Sequence, residues 1–211
     1  MRELVRPVVA GNWKMHKTIS EARQLAAEIV SQAPALTMAS IILIPPFTAI
    51  QEVKKTVGDS GILVGGQNLF WEEEGAFTGE ISAHQLKEAG CDFVIIGHSE
   101  RRQYFGETDE TVSQKVLAAR RHGLIPIVCV GENLEERKSG KTLKKIKVQL
   151  ENSLFSLAEE EFKMVILAYE PIWAIGTGQN ATPEQAEEVH GYIRQLIADR
   201  YSQDLSSCAI I

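Results

Sequence analysis

The chain has 211 residues, of which 44% are hydrophobic and 24% charged, with a net charge of −6 at pH 7. This composition is typical of a globular protein with a sizeable core. The acidic balance argues against nucleic acid as a partner, and apolar runs stay short of the roughly 20 residues of a membrane span. A small anionic substrate stays possible, because helix termini and single lysines act locally.

Cysteine usage and the N-terminal segment both favour a cytoplasmic protein. Cys91, Cys129 and Cys208 form no C-x-x-C pair, so we expect free thiols in a reducing compartment. Cys129 lies in an apolar run, which favours a buried small residue over a nucleophile. The first residues contain no apolar core of a secretory signal.

Seven short apolar runs alternate with longer segments of helical period. The runs cover residues 7–12, 40–44, 62–67, 93–97, 125–130, 164–170 and 208–211. Most are near-continuous Val, Ile, Leu and Ala, which predicts strands buried on both faces, as in parallel sheets.

Cap chemistry predicts where the intervening helices begin and end. Thr18-Ile19-Ser20-Glu21 reads as a capping box, and Thr182-Pro183-Glu184-Gln185 repeats it with proline at the first helical position. Gly90 and Gly123 stand at predicted helix C-caps. The first of these helices has a predicted apolar face. Its members are Ile19, Ala22, Leu25, Ala26 and Ile29.

Six complete strand–helix units and the start of a seventh strand predict one α/β domain over residues 1–211. Repeated βα units imply parallel strands with right-handed crossovers, in a doubly wound sheet or a barrel. Periodicity alone does not choose between the two. The residues that follow the first strand, Gly11-Asn12-Trp13-Lys14, do not match the dinucleotide-binding pattern G-x-G-x-x-G.

Polar residues cluster where three predicted strands end, which is where parallel α/β folds build active sites. These are Asn12-Trp13-Lys14, Gly97 to Arg102, and Tyr169-Glu170-Pro171. We expect an amide, an ammonium, an imidazole and a carboxylate to converge there. Such a set could remove a proton next to a carbonyl and stabilise the resulting enediolate. Taken singly, each residue is more typical of a structural or surface position.

Five segments resemble the signatures of the triosephosphate isomerase family, in its order and at its spacing. They are G-N-W-K-M at 11–15, G-Q-N at 66–68, G-A-F-T-G-E-I-S at 75–82, I-G-H-S-E-R-R at 96–102 and A-Y-E-P-I-W-A-I-G-T-G at 168–178. The resemblance implies a TIM (β/α)8 barrel and the interconversion of dihydroxyacetone phosphate and D-glyceraldehyde 3-phosphate, a step of glycolysis and gluconeogenesis. It implies no cofactor and no metal.

The resemblance also assigns roles to the polar residues. Glu170 would be the base that shuttles a proton between two carbons, and His98 the electrophile that polarises the carbonyl, assisted by Asn12. Lys14 would hold the phosphate and offset developing negative charge. Glu100 would belong to the same pocket, positioning Lys14 or relaying protons. A helix start directly after His98 would disfavour a charged imidazole.

Two loops complete the picture that the resemblance implies. The segment from Pro171 to Ala181 would be a closing lid, with Pro171-Ile172-Trp173 as a stiff first hinge. In this lid the Gly176 backbone N–H would bind the phosphate, and water would be shut out. The loop from Gln67 to Gly79 would form a homodimer, with Thr78 near its tip.

The resemblance covers six βα units and the start of strand seven, and strand eight is missing. A complete barrel needs eight strands and about 250 residues, and its last two loops often bind phosphate. We therefore expect a partial sequence of a longer enzyme, poorly stable and nearly inactive by itself. The alternative is a non-catalytic barrel fragment or interaction module. A phosphosugar aldolase is disfavoured, since no lysine lies in the six complete strand runs.

Overall fold

The computed structural model describes residues 7–32, 39–175, 178–203, 205 and 208–211. Six strands occur within these ranges: β1 (Val8–Asn12), β2 (Ser40–Ile44), β3 (Leu63–Gly66), β4 (Phe93–Ile96), β5 (Ile125–Val130) and β6 (Ile166–Tyr169). They are parallel wherever their register is defined, and their order in the sheet follows the chain. The predicted α/β class and strand positions are confirmed.

Helices alternate with these strands. They are α1 (Ile19–Gln32), α2 (Ile50–Val57), α3 (Ala83–Glu88), α4 (Ser99–Phe105), α5 (Asp109–Arg121), α6 (Leu134–Lys138), α7 (Thr142–Ser153), α8 (Glu159–Phe162) and α9 (Pro183–Arg200). Two short 3-10 helices lie at Phe47–Ala49 and Ile172–Ala174. No helix in the described ranges is long and apolar enough to cross a bilayer.

The chain forms two compact units. The first unit consists of Met1–Ile95 and Leu117–Pro126, and the second of Ile96–Val116 and Ile127–Ile211. Strands β4 and β5 and helix α5 each have residues in both units. The single-domain interpretation of the sequence stays a prediction.

In the first unit, β1 pairs with β2 along its whole length, from Val8 opposite Ser40 to Asn12 opposite Ile44. The β2 side chains from Ile42 to Ile44 are buried, as predicted for a strand covered on both faces. Strand β1 departs from that prediction, because Val9 is 55% exposed. This strand stands at one end of the sheet order, so it receives less cover than β2.

In the second unit, β5 pairs with β6 from Ile127 opposite Ile166 to Val130 opposite Tyr169. Beyond β6, Leu167 forms a parallel bridge with Ile210. The predicted start of a seventh strand therefore pairs with β6. Most buried side chains of this unit come from β5, β6 and the helices that follow them, and Ile96, Val112 and Val116 add to them from β4 and α5. The largest include Ile127, Ile146, Leu150, Phe162 and Ile193.

Both predicted capping boxes are present. The Thr18 backbone N–H donates to Glu21 Oε2 at 2.8 Å, and Gln185 and Thr182 exchange the equivalent bonds at the start of α9. The predicted apolar face of α1 is wrong at Ile19, which is 52% exposed and lines an open surface depression. Ala22 and Ala26 of the same face are buried.

Candidate active site

Glu170 follows directly after β6, and its side chain is largely buried. Its Oε1 lies 3.0 Å from His98 Nε2, and its Oε2 accepts a hydrogen bond of 2.9 Å from the Ser99 backbone N–H. Both carboxylate oxygens therefore face proton donors. Donors of this kind hold a carboxylate in a fixed orientation.

His98 is the N-cap of α4, so the predicted helix start directly after it is confirmed. The Glu100 backbone N–H donates to His98 Nδ1 at 3.2 Å. A backbone N–H group can only donate a hydrogen bond, so Nδ1 is the acceptor and carries no proton in this arrangement. The ring proton then lies on Nε2 and points at Glu170, which assigns the neutral imidazole tautomer from geometry.

The Glu100 carboxylate lies beside the same ring. Its Oε2 is 3.6 Å from His98 Nδ1, and its side chain is 39% exposed. The second unit thus brings together three of the predicted site residues: Glu170, His98 and Glu100.

Cys129 lies in β5 behind Glu170 and is buried. Burial raises the pKa of the Cys129 thiol well above its ordinary value, and the charge and hydrogen bond of Glu170 add to the shift. A thiol in this environment stays protonated and is a poor nucleophile. The interpretation of Cys129 as a buried small residue is confirmed.

Gly131 places Glu170 in a way that the sequence did not reveal. A Cβ atom at Gly131 would lie 1.8 Å from the Glu170 carbonyl oxygen. The Glu170 backbone N–H donates to Val130 O at 2.8 Å, and the Gly131 N–H donates to buried Gln149 at 2.9 Å. The chain therefore needs glycine here for the close approach of two backbones.

A buried carboxylate, Glu132, holds the segment after Glu170. It is fully buried and accepts hydrogen bonds from the Tyr169 hydroxyl and from Trp173 Nε1, the latter at 2.9 Å. The Ile172 N–H donates to the Glu132 carbonyl at 3.1 Å. Burial raises the pKa of Tyr169 far above its ordinary range, so its hydroxyl stays a donor. No sequence pattern identified Glu132 as a buried hydrogen-bond acceptor.

The predicted lid begins in this segment. Ile172–Ala174 forms one turn of 3-10 helix, which agrees with a stiff first hinge. Gly176, the predicted phosphate ligand, lies outside the described residues.

Asn12 and Lys14 lie in the first unit, at the end of β1. Lys14 has a φ of 52°, a left-handed conformation that is strained for a non-glycine residue. Its N–H donates to Asn12 Oδ1 at 2.9 Å, and its carbonyl accepts from Gln67 Nε2 at 2.8 Å. Strain held in place by neighbours is typical of functional positions. Gln67 also donates to Ile44 O at 3.1 Å.

The loop from Gln67 to Gly79 contains an exposed acidic run, Glu72-Glu73-Glu74. Glu73 is nevertheless paired: His122 Nε2 lies 2.6 Å from its Oε2, and Arg121 Nε lies 3.7 Å from its Oε1. The hydrogen bond from His122 lowers the pKa of Glu73. Among the described residues, no three His, Cys, Asp or Glu side chains are grouped to hold a metal ion.

Comparison with known proteins gives consistent results. The sequence profile of the family described as triosephosphate isomerase matches residues 7–211. Triosephosphate isomerase of Caldanaerobacter subterraneus is 53% identical over 199 residues, covering 94% of this chain and 80% of the relative. The Geobacter metallireducens protein of that name is 48% identical over 200 residues, covering 95% of this chain and 80% of the relative. The crystal structure of Bartonella henselae triosephosphate isomerase superposes with a TM-score of 0.87 and 39% identity, covering 98% of this chain and 82% of that one.

Proposed function

Since this chain belongs to the triosephosphate isomerase family, a family of enzymes, we propose that it interconverts dihydroxyacetone phosphate and D-glyceraldehyde 3-phosphate. Its fold is that of the TIM barrel, with six βα units and the beginning of a seventh strand. The observation that carries the proposal is the contact of the neutral His98 imidazole with the Glu170 carboxylate.

In the proposed reaction, Glu170 removes a proton from C1 of the ketose, and the C–H electrons form the C1–C2 double bond. The carbonyl oxygen becomes an enediolate oxygen, which accepts a hydrogen bond from His98 Nε2–H. Glu170 returns the proton to C2, while His98 passes the hydroxyl proton between the two oxygens. The aldose forms with no net gain or loss of protons. A glutamate base with a neutral histidine is the established pairing in triosephosphate isomerase, and the proposal carries it over to this chain.

The other site residues supply charge and orientation in this proposal. The Lys14 ammonium binds the phosphate and offsets negative charge on the enediolate, and the Asn12 amide hydrogen-bonds an enediolate oxygen. Glu100 serves the same site by positioning Lys14 or relaying protons, and the Gly176 N–H binds the phosphate. The support for Lys14 is its strained backbone, which neighbouring side chains hold in place.

The segment from Pro171 to Ala181 is proposed to close over the substrate. Exclusion of water protects an enediol phosphate, which otherwise eliminates phosphate. The hydrogen bond from Trp173 to Glu132 supports this role, because it fixes the first hinge on a buried carboxylate.

A coupled assay with a triose phosphate dehydrogenase and its nicotinamide cofactor tests the activity. We expect Glu170→Gln to lower kcat by about 1,000-fold or more, because amide nitrogen and oxygen cannot take up the carbon-bound proton. His98→Gln removes the electrophile and should cost about 100-fold. Glu151→Gln, which makes the same charge change at an exposed position on α7, is the matched control. Turnover in D₂O should place deuterium on the carbon of the product.

The proposal fails if the folded chain binds no triose phosphate, or if Glu170→Gln turns over at the rate of the control. A folded chain without turnover would instead favour a non-catalytic barrel module.

A homodimer in the cytoplasm completes the proposal. Free thiols support the compartment, since none of the described cysteines is disulfide-bonded. Phe77 in the loop and Met15 are exposed apolar side chains, at 42% and 94%, which favours burial against a second copy. Light scattering should give twice the chain mass. Phe77→Glu should give a monomer and Phe47→Glu, at an equally exposed phenylalanine outside the loop, a dimer. A monomeric parent chain would contradict the dimer.

A further inference from the structure

We propose that Arg102 is a positioning residue, which fixes the two peptide groups around His98 and thereby aims the Nε2–H bond. This inference rests on the proposed isomerisation for its catalytic consequence. Arg102 has no role in the assignments above, although it belongs to the segment that carries His98.

Arg102 contacts the chain on both sides of His98. Its side-chain Nε donates to the Gly97 carbonyl oxygen at 2.8 Å, and its backbone N–H donates to the His98 carbonyl oxygen at 3.1 Å. These two carbonyls belong to the peptide groups that precede and follow the His98 Cα. Fixing both of them fixes the φ and ψ angles of His98, and with them the direction of its Cα–Cβ bond.

The Arg102 guanidinium is itself oriented by a carboxylate, that of Asp109. Its Nη1 donates to Asp109 Oδ1 at 2.6 Å, and Asp109 Oδ1 accepts a second hydrogen bond from Ser153 Oγ at 3.4 Å. The Arg102 and Asp109 side chains are mostly buried, at 16% and 18% exposure. Charge-assisted bonds of this kind give a planar guanidinium a defined orientation, which the ammonium of a lysine would not have.

Gly97 fits the same arrangement. Its φ is +75°, and a Cβ atom there would lie 3.0 Å from Arg102 Nη2 and 3.0 Å from Val112 Cγ2. The backbone before His98 therefore turns in a conformation that few side chains tolerate, directly against the guanidinium. Arg102 contacts this turn through the hydrogen bond to the Gly97 carbonyl.

Precision matters here because the imidazole has two bonds to satisfy at once. Nδ1 accepts from the Glu100 N–H at 3.2 Å while Nε2 meets Glu170 at 3.0 Å. A rotation of the His98 backbone would break one of the two and let the ring proton move to the other nitrogen. The backbone N–H of the neighbouring Arg101 also donates to the His98 carbonyl oxygen, at 2.8 Å, but the Arg101 side chain pairs with Glu107 and lies over the ring of Phe105.

Arg102→Lys tests the inference, because it keeps the charge and removes the donor at Nε. We expect kcat to fall by about 100-fold, the effect of a misplacement of about 1 Å, with KM nearly unchanged. Nitrogen NMR of labelled histidine should show one protonated and one unprotonated ring nitrogen for His98 in the parent chain. In the variant, the two signals should move toward each other as the tautomers mix.

Arg101→Lys is the matched control, with the same change one residue earlier, and it should leave both readouts at parent values. Asp109→Asn is a second variant. It weakens the hydrogen bond that orients the Arg102 guanidinium and should reproduce the NMR change to a smaller extent. Parent-like His98 signals in folded Arg102→Lys would overturn the inference. A His98 shift in a chain without isomerase activity would uphold the positioning and refute the proposed function.

Discussion

The ends of β6 and β1 both carry candidate site residues, and the two are held in different ways. At the end of β6, side-chain atoms make directional bonds: Glu170 meets His98 and the Ser99 N–H, each at 3.0 Å or less. At the end of β1, the backbone of Lys14 is fixed, with its N–H on Asn12 and its carbonyl on Gln67. Proton transfer needs aligned atoms, whereas an ammonium acts as a point charge on a flexible stem. The directional bonds at the end of β6 therefore suit the residue that is proposed to transfer the proton.

Of the variants that test this comparison, Gly131→Ala has the largest expected effect, because it disturbs the end of β6. The new Cβ would overlap the Glu170 carbonyl, so the backbone that carries the base must shift. We expect activity to fall by about 100-fold or more and stability by about 1–3 kcal/mol. Gly191→Ala in α9, where a Cβ meets nothing within 4 Å, should instead stabilise by about 0.5–1 kcal/mol. Activity within twofold of the parent would show that this strand end tolerates displacement.

Glu132→Gln tests the segment next to Glu170. The amide removes the negative charge and one of the two oxygens that accept from the Tyr169 hydroxyl, and Trp173 Nε1 is left with a neutral acceptor. Loss of a charged, buried acceptor should cost about 1.5–3 kcal/mol of unfolding free energy, measured by denaturant titration with Trp173 emission as a local probe. Exposed Glu135, changed in the same way, should leave the midpoint in place. Equal midpoints for the two variants would mean that the Glu132 bonds add nothing.

Gln67→Ala tests the end of β1, which carries Lys14. It removes the donor shared by the Lys14 and Ile44 carbonyls, at an expected cost of about 1–3 kcal/mol. Because Lys14 is proposed to bind the phosphate, KM should rise more than kcat falls. Exposed Gln24, changed to alanine, should shift stability by no more than about 0.5 kcal/mol. A loss confined to kcat would place Gln67 on the side of proton transfer.

The smallest expected effect concerns pH and the loop of the first unit. The hydrogen bond from His122 holds the pKa of Glu73 below its unfolded value, with Arg121 and His84 adding positive charge nearby. A lowered pKa contributes stability above the unfolded value, and this stability is lost as pH falls through the folded value. Glu73 is half exposed, so the contribution is small.

Melting curves at neutral pH and about one unit below the ordinary glutamate pKa check this prediction. Glu73→Gln should flatten the acid dependence slightly relative to the parent, whereas Glu72→Gln, at an exposed neighbour, should not. Identical acid dependence in all three chains would remove the pair as a source of stability.

Local chemistry explains which features were predictable. The capping boxes at Thr18 and Thr182 join atoms three residues apart, so their sequence is enough to specify them. Apolar runs specified β2 and β5 to the residue, because a strand covered on both faces must be apolar throughout. The same rule was wrong for Val9 in β1, where cover depends on the order of strands in the sheet.

By itself, the sequence determined the parallel α/β class and the helix starts, and it supplied the candidate residues for proton transfer, since these depend on residue type and short spacing. Only the tertiary structure decided how that chemistry is held. Ser99 and Glu170 are 71 positions apart, and Trp173 and Glu132 are 41 apart. The fit of Gly131 against Glu170 and the bond from Arg102 to Gly97 likewise arise only where folded backbones approach each other. No local pattern encodes such contacts, because their energy depends on distances that the fold sets.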